Sequence, residues 1–331
     1  MRQKFHSFSQ TCNIVQLKKG NCSTVSEFIL LGLSELLWLS IFLSLVFLLI
    51  YGVTVMGNLG MITVIQVSSQ LHTSMHFFLS HLSFVDFCYS TIIVPKMLAN
   101  ILNKDNTIFF PVCMIQLYLF CTYTITKVIL LAVMAYDCFV AICNPRLYLV
   151  IMSWKLCMGL VPSCYLCGAV CSLIHICLAL QIPSHRSNVV KHFCDLPPLL
   201  FLAFSDVFIN ELLWFIVATS NEIITIMIIL PSYLFILITI LRMHSAEGRC
   251  KAFSACTSHL TAIVVFHGTI LFIYCRPSSD FSLETDKVVT VFYTVVISML
   301  NPLIYTLRSK DVKAAVMKIM GFKLLSAGLI S

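Results

Sequence analysis

The sequence predicts an all-α membrane protein, a seven-transmembrane helix bundle with a short amphipathic helix after the seventh span. Two observations predict it. Of 331 residues, 59% are hydrophobic and 11% charged, whereas a soluble domain carries about 25% charge. The charges also leave long apolar runs uninterrupted, at Leu36–Val85, Asn106–Thr126, Leu156–His185, Ile223–Leu241, Ala252–Cys275 and Val288–Leu307. A span needs ~20 mostly apolar residues to cross ~30 Å of hydrocarbon. Continuous runs suit helices, because lipid cannot satisfy free backbone groups, whereas a barrel strand would alternate.

Residues 1–37 form an N-terminal tail. Residues 1–25 contain no apolar signal-peptide region, so the first span is expected to act as an uncleaved anchor. Asn21-Cys22-Ser23 is a glycosylation sequon, which requires Asn21 to face the lumen. The spans fall at 38–65, 77–99, 112–137, 157–180, 210–241, 254–275 and 287–307, the fifth long enough to project past the membrane. Together 38–307 make one membrane domain. The loops after spans two, four and six carry Lys104, Arg186, Lys191, Arg276 and Lys287. The remaining loops and the C-terminal tail carry Arg146, Lys155, Arg242, Arg249, Lys251, Arg308, Lys310, Lys313, Lys318 and Lys323. The more basic set faces the cytoplasm, so the N-terminus is extracellular and the C-terminus cytoplasmic in the plasma membrane. In the tail 308–331, residues 308–322 alternate basic and apolar positions, the pattern of an amphipathic helix on an anionic leaflet.

Other classes leave little trace. The net charge of +7 is spread over loops and tail, so no nucleic-acid face is expected. Most of the 16 cysteines sit in apolar runs, where Cys packs as a small hydrophobe. Cys164-x-x-Cys167 has redox spacing but lies within a span. There is no phosphate loop or zinc motif, so neither an enzyme nor a metal or cofactor is expected.

Several strings then carry a resemblance. They are Gly57-Asn58, LHTSMHFFLSHLSFVDFCYS at 71–90, PKML at 95–98, MAYDCFVAICNPRLY at 134–148, Ser232-Tyr233, KAFSACTSHL at 251–260 and LNPLIYTLRSKDVKAA at 300–315. In this order and spacing the chain closely resembles the vertebrate olfactory receptors, tetrapod-type class II, a rhodopsin-like branch of the G-protein-coupled receptors. The resemblance covers roughly residues 21–318 and leaves 1–20 as an extension. It implies a small volatile odorant bound among the helices near the outer face. It also implies an olfactory-type stimulatory G protein beneath the inner face, raising cyclic AMP. The alternative is a non-signalling, poorly folded or endoplasmic-reticulum-retained product.

The resemblance also assigns residues. It pairs Cys113 with Cys194 in a disulfide over the pocket. By matching position it nominates Cys121, Thr124, Ile125, Ile270 and Tyr274 as pocket lining. His267 replaces a usual tyrosine, and Glu222 lies at a depth from which it could approach His267, either as a ligand contact or as a structural pair. At the inner end the family's Asp-Arg-Tyr motif reads Asp137-Cys138-Phe139, placing Asp137 at the end of span three and losing the arginine. Tyr233 and Asn301-Pro302-x-x-Tyr305 are the other switch elements. Ser298 stands where the family often has proline. Lys127 occupies a position usually glutamate, near Asp86, where related receptors hold sodium. A lysine at mid-span costs roughly 2.5–3.5 kcal/mol on insertion scales and calls for a partner or water. Lys127 is expected to sit in the cation position and pair with Asp86; the alternative is a damaging substitution, with Lys127 snorkelling into water and Asp86 left to itself.

Overall fold

The computed structural model describes residues 27–30, 37–102, 107–180, 189–190, 208–275, 296–306 and 312–318. Its long helices are α1 (Leu37–Val67), α2 (Ser74–Leu102), α3 (Phe110–Cys143), α4 (Trp154–Leu180), α5 (Phe208–Arg242) and α6 (Ala246–Cys275). The described part of α7 is Val296–Thr306. Among the described residues, five helices hold windows long and apolar enough to cross a membrane: Ile41–Val67, Ser74–Ala99, Pro111–Cys143, Trp154–Leu178 and Thr219–Arg242. The chain is a multi-pass helical membrane protein.

Polarity is distributed as lipid requires. Large apolar side chains such as Trp38, Leu49, Met56, Leu166, Met227 and Leu230 face outward, while Asn58, Asp86, Lys127, Asp137, Ser298 and Asn301 are buried. α3 is the central helix. Some 67% of its apolar window is buried, against 22% for α1 and 28% for α4 and α5. It packs against α2, α4, α5 and α6, and α1 leans on α2. At Gly168 the α3–α4 approach leaves no room for a side chain. A Cβ there would clash with Thr126 Oγ1 and stand 2.8 Å from the Thr122 carbonyl oxygen.

The helix ends have local causes. Thr73 caps α2, its Oγ1 accepting from the His76 amide at 3.4 Å. Pro145 biases Asn144 away from helical geometry, and α3 stops at Cys143. Ser245 caps α6, its Oγ accepting from the Gly248 amide at 3.2 Å, with Glu247 in the positive first turn.

Two span boundaries require correction. α3 runs six residues beyond the expected 137, to Cys143, so Asp137 and Cys138 lie inside the helix rather than at its end. α6 starts at Ala246 rather than 254, because charges outside the hydrocarbon do not interrupt a helix. The sequence reading also missed a small sheet, ordered β2-β1-β3. In it β1 (Glu27–Leu30) pairs antiparallel with β2 (Thr107–Phe109) and parallel with β3 (Val189–Val190). Beyond α7, residues 312–318 are helical, with Val312 and Ala315 packed into the bundle core and Lys313 and Met317 exposed.

Gly168→Ala should lower thermal stability of the purified protein by roughly 1–3 kcal/mol, the usual range for overpacking a close contact. An unchanged unfolding temperature would show that α3 and α4 separate freely.

Candidate functional site

The deepest polar cluster joins α2, α3 and α7. Lys127 Nζ lies 2.5 Å from Asp86 Oδ1, and the two side chains are 3% and 0% exposed. Ser298 Oγ donates to the same oxygen at 3.1 Å, and Asn301 Nδ2 donates to Oδ2 at 2.6 Å. Both carboxylate oxygens are therefore engaged. The ammonium also lies 5.0 Å from the Phe266 ring centroid on α6 and 6.0 Å from that of Tyr89 on α2, within cation–π reach. One ion pair thus touches four helices.

α1 is tied to the cluster by a backbone argument. Pro302 has no amide hydrogen, so the Ser298 carbonyl four residues earlier loses its helical partner. Asn58 Nδ2 donates to that carbonyl at 3.1 Å and to the Thr54 carbonyl at 2.9 Å. A Cβ on Gly57 would lie 3.1 Å from Pro302 Cγ, so glycine lets the proline ring approach. Gly57-Asn58 and Asn301-Pro302 are two halves of one joint.

A second contact joins α5 to α6. His267 Nδ1 lies 3.0 Å from Glu222 Oε2. On α5, Glu222 continues a buried stripe of Thr225, Ile229, Ser232, Ile236 and Ile240, at helical spacing. His267 is 9% exposed, and its Nε2 is buried with no hydrogen-bond partner among the described residues. Of the other nominated pocket residues, Ile125 is buried, Cys121 and Thr124 are half-buried on α3, and the Thr124 hydroxyl donates to the Phe120 carbonyl at 2.8 Å. The side chains of Ile270 and Tyr274 lie outside the described residues. So do Asn21 and Cys194. Cys113 is buried at the start of α3 and disulfide-bonded. Two described grooves lie elsewhere, about 720 Å³ along Leu45–Gly57 of α1 and about 830 Å³ bounded by Phe77, His81, Trp154 and Tyr165.

At the opposite end of α3, Asp137 is 1% exposed and held by hydroxyls, with no cation beside it among the described residues. Ser74 Oγ donates to Oδ1 at 2.8 Å and Tyr148 Oη at 3.1 Å. Burial pushes the Tyr148 phenol up to about 12, so it stays protonated and donating. Cys138 packs in an apolar cluster with Ile236, Ile240 and Cys256. Tyr233 Oη lies 2.6 Å from His259 Nδ1, and the Tyr305 hydroxyl is buried without a partner among the described residues.

Sequence reasoning brought together Lys127 with Asp86 and Glu222 with His267. It missed the roles of Asn58, Ser298, Ser74, Tyr148 and Phe266. The Ser298-to-Pro302 spacing was a readable signal for Asn58. No spacing relates Ser74 or Tyr148 to Asp137.

Comparison with known proteins gives a consistent result. A family model described as "Olfactory receptor" matches residues 47–323. Human olfactory receptor 5L1 is 69% identical over 307 residues, covering 92% of this chain and 99% of the relative. Human olfactory receptor 5L2 matches at the same identity and coverage. Human olfactory receptor 5D18 is 57% identical over 302 residues, 91% of this chain and 96% of the relative.

Removing one partner of a buried pair strands the other charge and typically costs 3–5 kcal/mol. Asp86→Asn should lower thermal stability of the purified protein by about that amount, and adding Lys127→Met should recover much of the loss. A double variant no more stable than Asp86→Asn would show that the two charges do not depend on each other.

Proposed function

The chain belongs to the olfactory receptor family, and we propose that it binds a small volatile odorant between α3, α5, α6 and α7 and signals through an olfactory-type stimulatory G protein to raise cyclic AMP. The receptor class carries with it an odorant ligand and a G-protein partner in general, and no enzymatic role. The stimulatory type is part of the proposal. So are the topology, with N-terminus outside and C-terminus in the cytoplasm, glycosylation at Asn21, and closure of a lid by Cys113–Cys194. The basic residues of the Asp137 end support that topology. The disulfide-bonded Cys113 supports the lid, because disulfides persist on the oxidising side.

The observation that carries the coupling reading is the arrangement around Asp137. Asp137, Tyr233, Asn301, Pro302 and Tyr305 are present, while Cys138 and Phe139 stand in place of the motif's arginine and tyrosine, and the loss of charge is at Cys138. Arginine is a rigid, permanently charged donor with five N–H groups, whereas a thiol is a weak, uncharged donor. Two hydroxyls satisfy Asp137 without a cation, so the helix keeps its fold while the cationic contact to a G protein is lost. The same observation favours a second reading, a receptor that reaches the membrane and signals weakly or not at all.

Cyclic AMP in cells expressing the chain or its Cys138→Arg variant, exposed to an odorant panel and normalised to surface stain, separates these readings. The variant should give the larger odorant-driven response at equal surface level. Equal responses would show that coupling does not need the arginine. Absence of response in both at normal surface level would count against stimulatory coupling.

A further inference from the structure

We propose that the Glu222–His267 pair presents a hydrogen-bond donor, His267 Nε2–H, that selects small apolar odorants bearing a carbonyl oxygen. This rests on the reading above that odorants bind among α3, α5, α6 and α7.

His267 Nδ1 faces Glu222 Oε2 at 3.0 Å, so a proton lies on that contact. An uncompensated charge is costly among apolar helices, which favours the net-neutral pair. That pair has three proton arrangements. An imidazolium faces a carboxylate, or a neutral imidazole accepts from a protonated carboxyl, and in both Nε2 carries a hydrogen. In the third, Nδ1–H donates to the oxygen of a protonated carboxyl, which leaves the carboxyl hydrogen without an acceptor at this contact and is disfavoured. The glutamate therefore converts the far side of the ring into a donor.

That donor is unused among the described residues. Nε2 is buried with no hydrogen-bond partner among the described residues, and the whole residue is 9% exposed. A buried unsatisfied donor is expensive and calls for an acceptor. Beside Glu222, the Phe266 ring lies edge-on to the imidazole at 5.4 Å, and Ile263 is buried one turn away on the same helix. An aldehyde, ketone or ester supplies an acceptor oxygen and brings no donor of its own to be stranded. An alcohol supplies the oxygen but also a hydroxyl hydrogen that needs an acceptor, and a hydrocarbon supplies neither. The site thus ranks carbonyl above alcohol above hydrocarbon at equal shape.

Purified full-length receptor in lipid nanodiscs tests this. It is titrated with octanal, 1-octanol and octane, and with benzaldehyde, benzyl alcohol and toluene, and apparent Kd is read from the ligand-induced rise in melting temperature. Within each set the carbonyl compound should bind roughly three- to tenfold tighter than the hydrocarbon, the worth of one hydrogen bond. His267→Tyr still offers an O–H donor and should keep the preference. His267→Phe has a ring and no donor and should lose it. A carbonyl preference that survives in His267→Phe, or wild-type binding equal within each set, would overturn the proposal and leave the odorant-binding reading standing. No stabilisation by any of the six probes would overturn both.

Discussion

A lysine buried in the middle of α3 is the constraint on which the bundle's inner arrangement depends. Lys127 is buried and its ammonium faces Asp86, and Asp86 in turn must be satisfied on its remaining lone pairs. Ser298 and Asn301 do this from α7. Once α7 is placed by those bonds, Pro302 meets Gly57 and the orphaned Ser298 carbonyl meets Asn58. The positions of α1, α2, α3 and α7 therefore follow from one charge. Phe266, over the ammonium, brings α6 into the same arrangement.

This has a functional meaning for a receptor. The resemblance implies carboxylates at both positions, with room for an exchangeable cation. Here the buried cation is a side chain of α3, paired with Asp86. Separating α2 from α3 at this point means breaking a desolvated ion pair. Phe266 sits beside His267, so the α6 residue that touches the lock is the neighbour of the one that faces Glu222. Movement of α6 on ligand binding would reach Lys127 directly. At the other end, Asp137 rests on the hydroxyls of Ser74 and Tyr148 and Cys138 is sealed among apolar side chains. That end is packed with no charged contact to Asp137 among the described residues.

Much of this was legible in the sequence where a local cost forced a long-range answer. Uninterrupted apolar runs located the middles of the helices, and a mid-span lysine called for a partner or water, with Asp86 at matching depth. Glu222 and His267 were legible as two ionisable groups at comparable depth, which left their pairing open. Helix ends were less so. Asp137 looked like a terminus, yet neutral hydroxyls let it lie within α3, and the charges of residues 247–251 sit on a helix that has left the hydrocarbon. The small sheet was not legible, because its strands are two to four residues long and paired across distant loops. Ser74 was not legible because its meeting with Asp137 is set by packing of α2 against α3, nor was Tyr148, which reaches Asp137 from the segment after α3.

The central claim is that Lys127 fills the place of an exchangeable cation. It is tested most directly by the melting temperature of purified receptor in sodium chloride against choline chloride at equal ionic strength, for the wild type and for Lys127→Glu. The account predicts the same temperature in both salts for the wild type and a sodium-dependent rise for Lys127→Glu. A wild-type rise in sodium as large as that of the variant would contradict it.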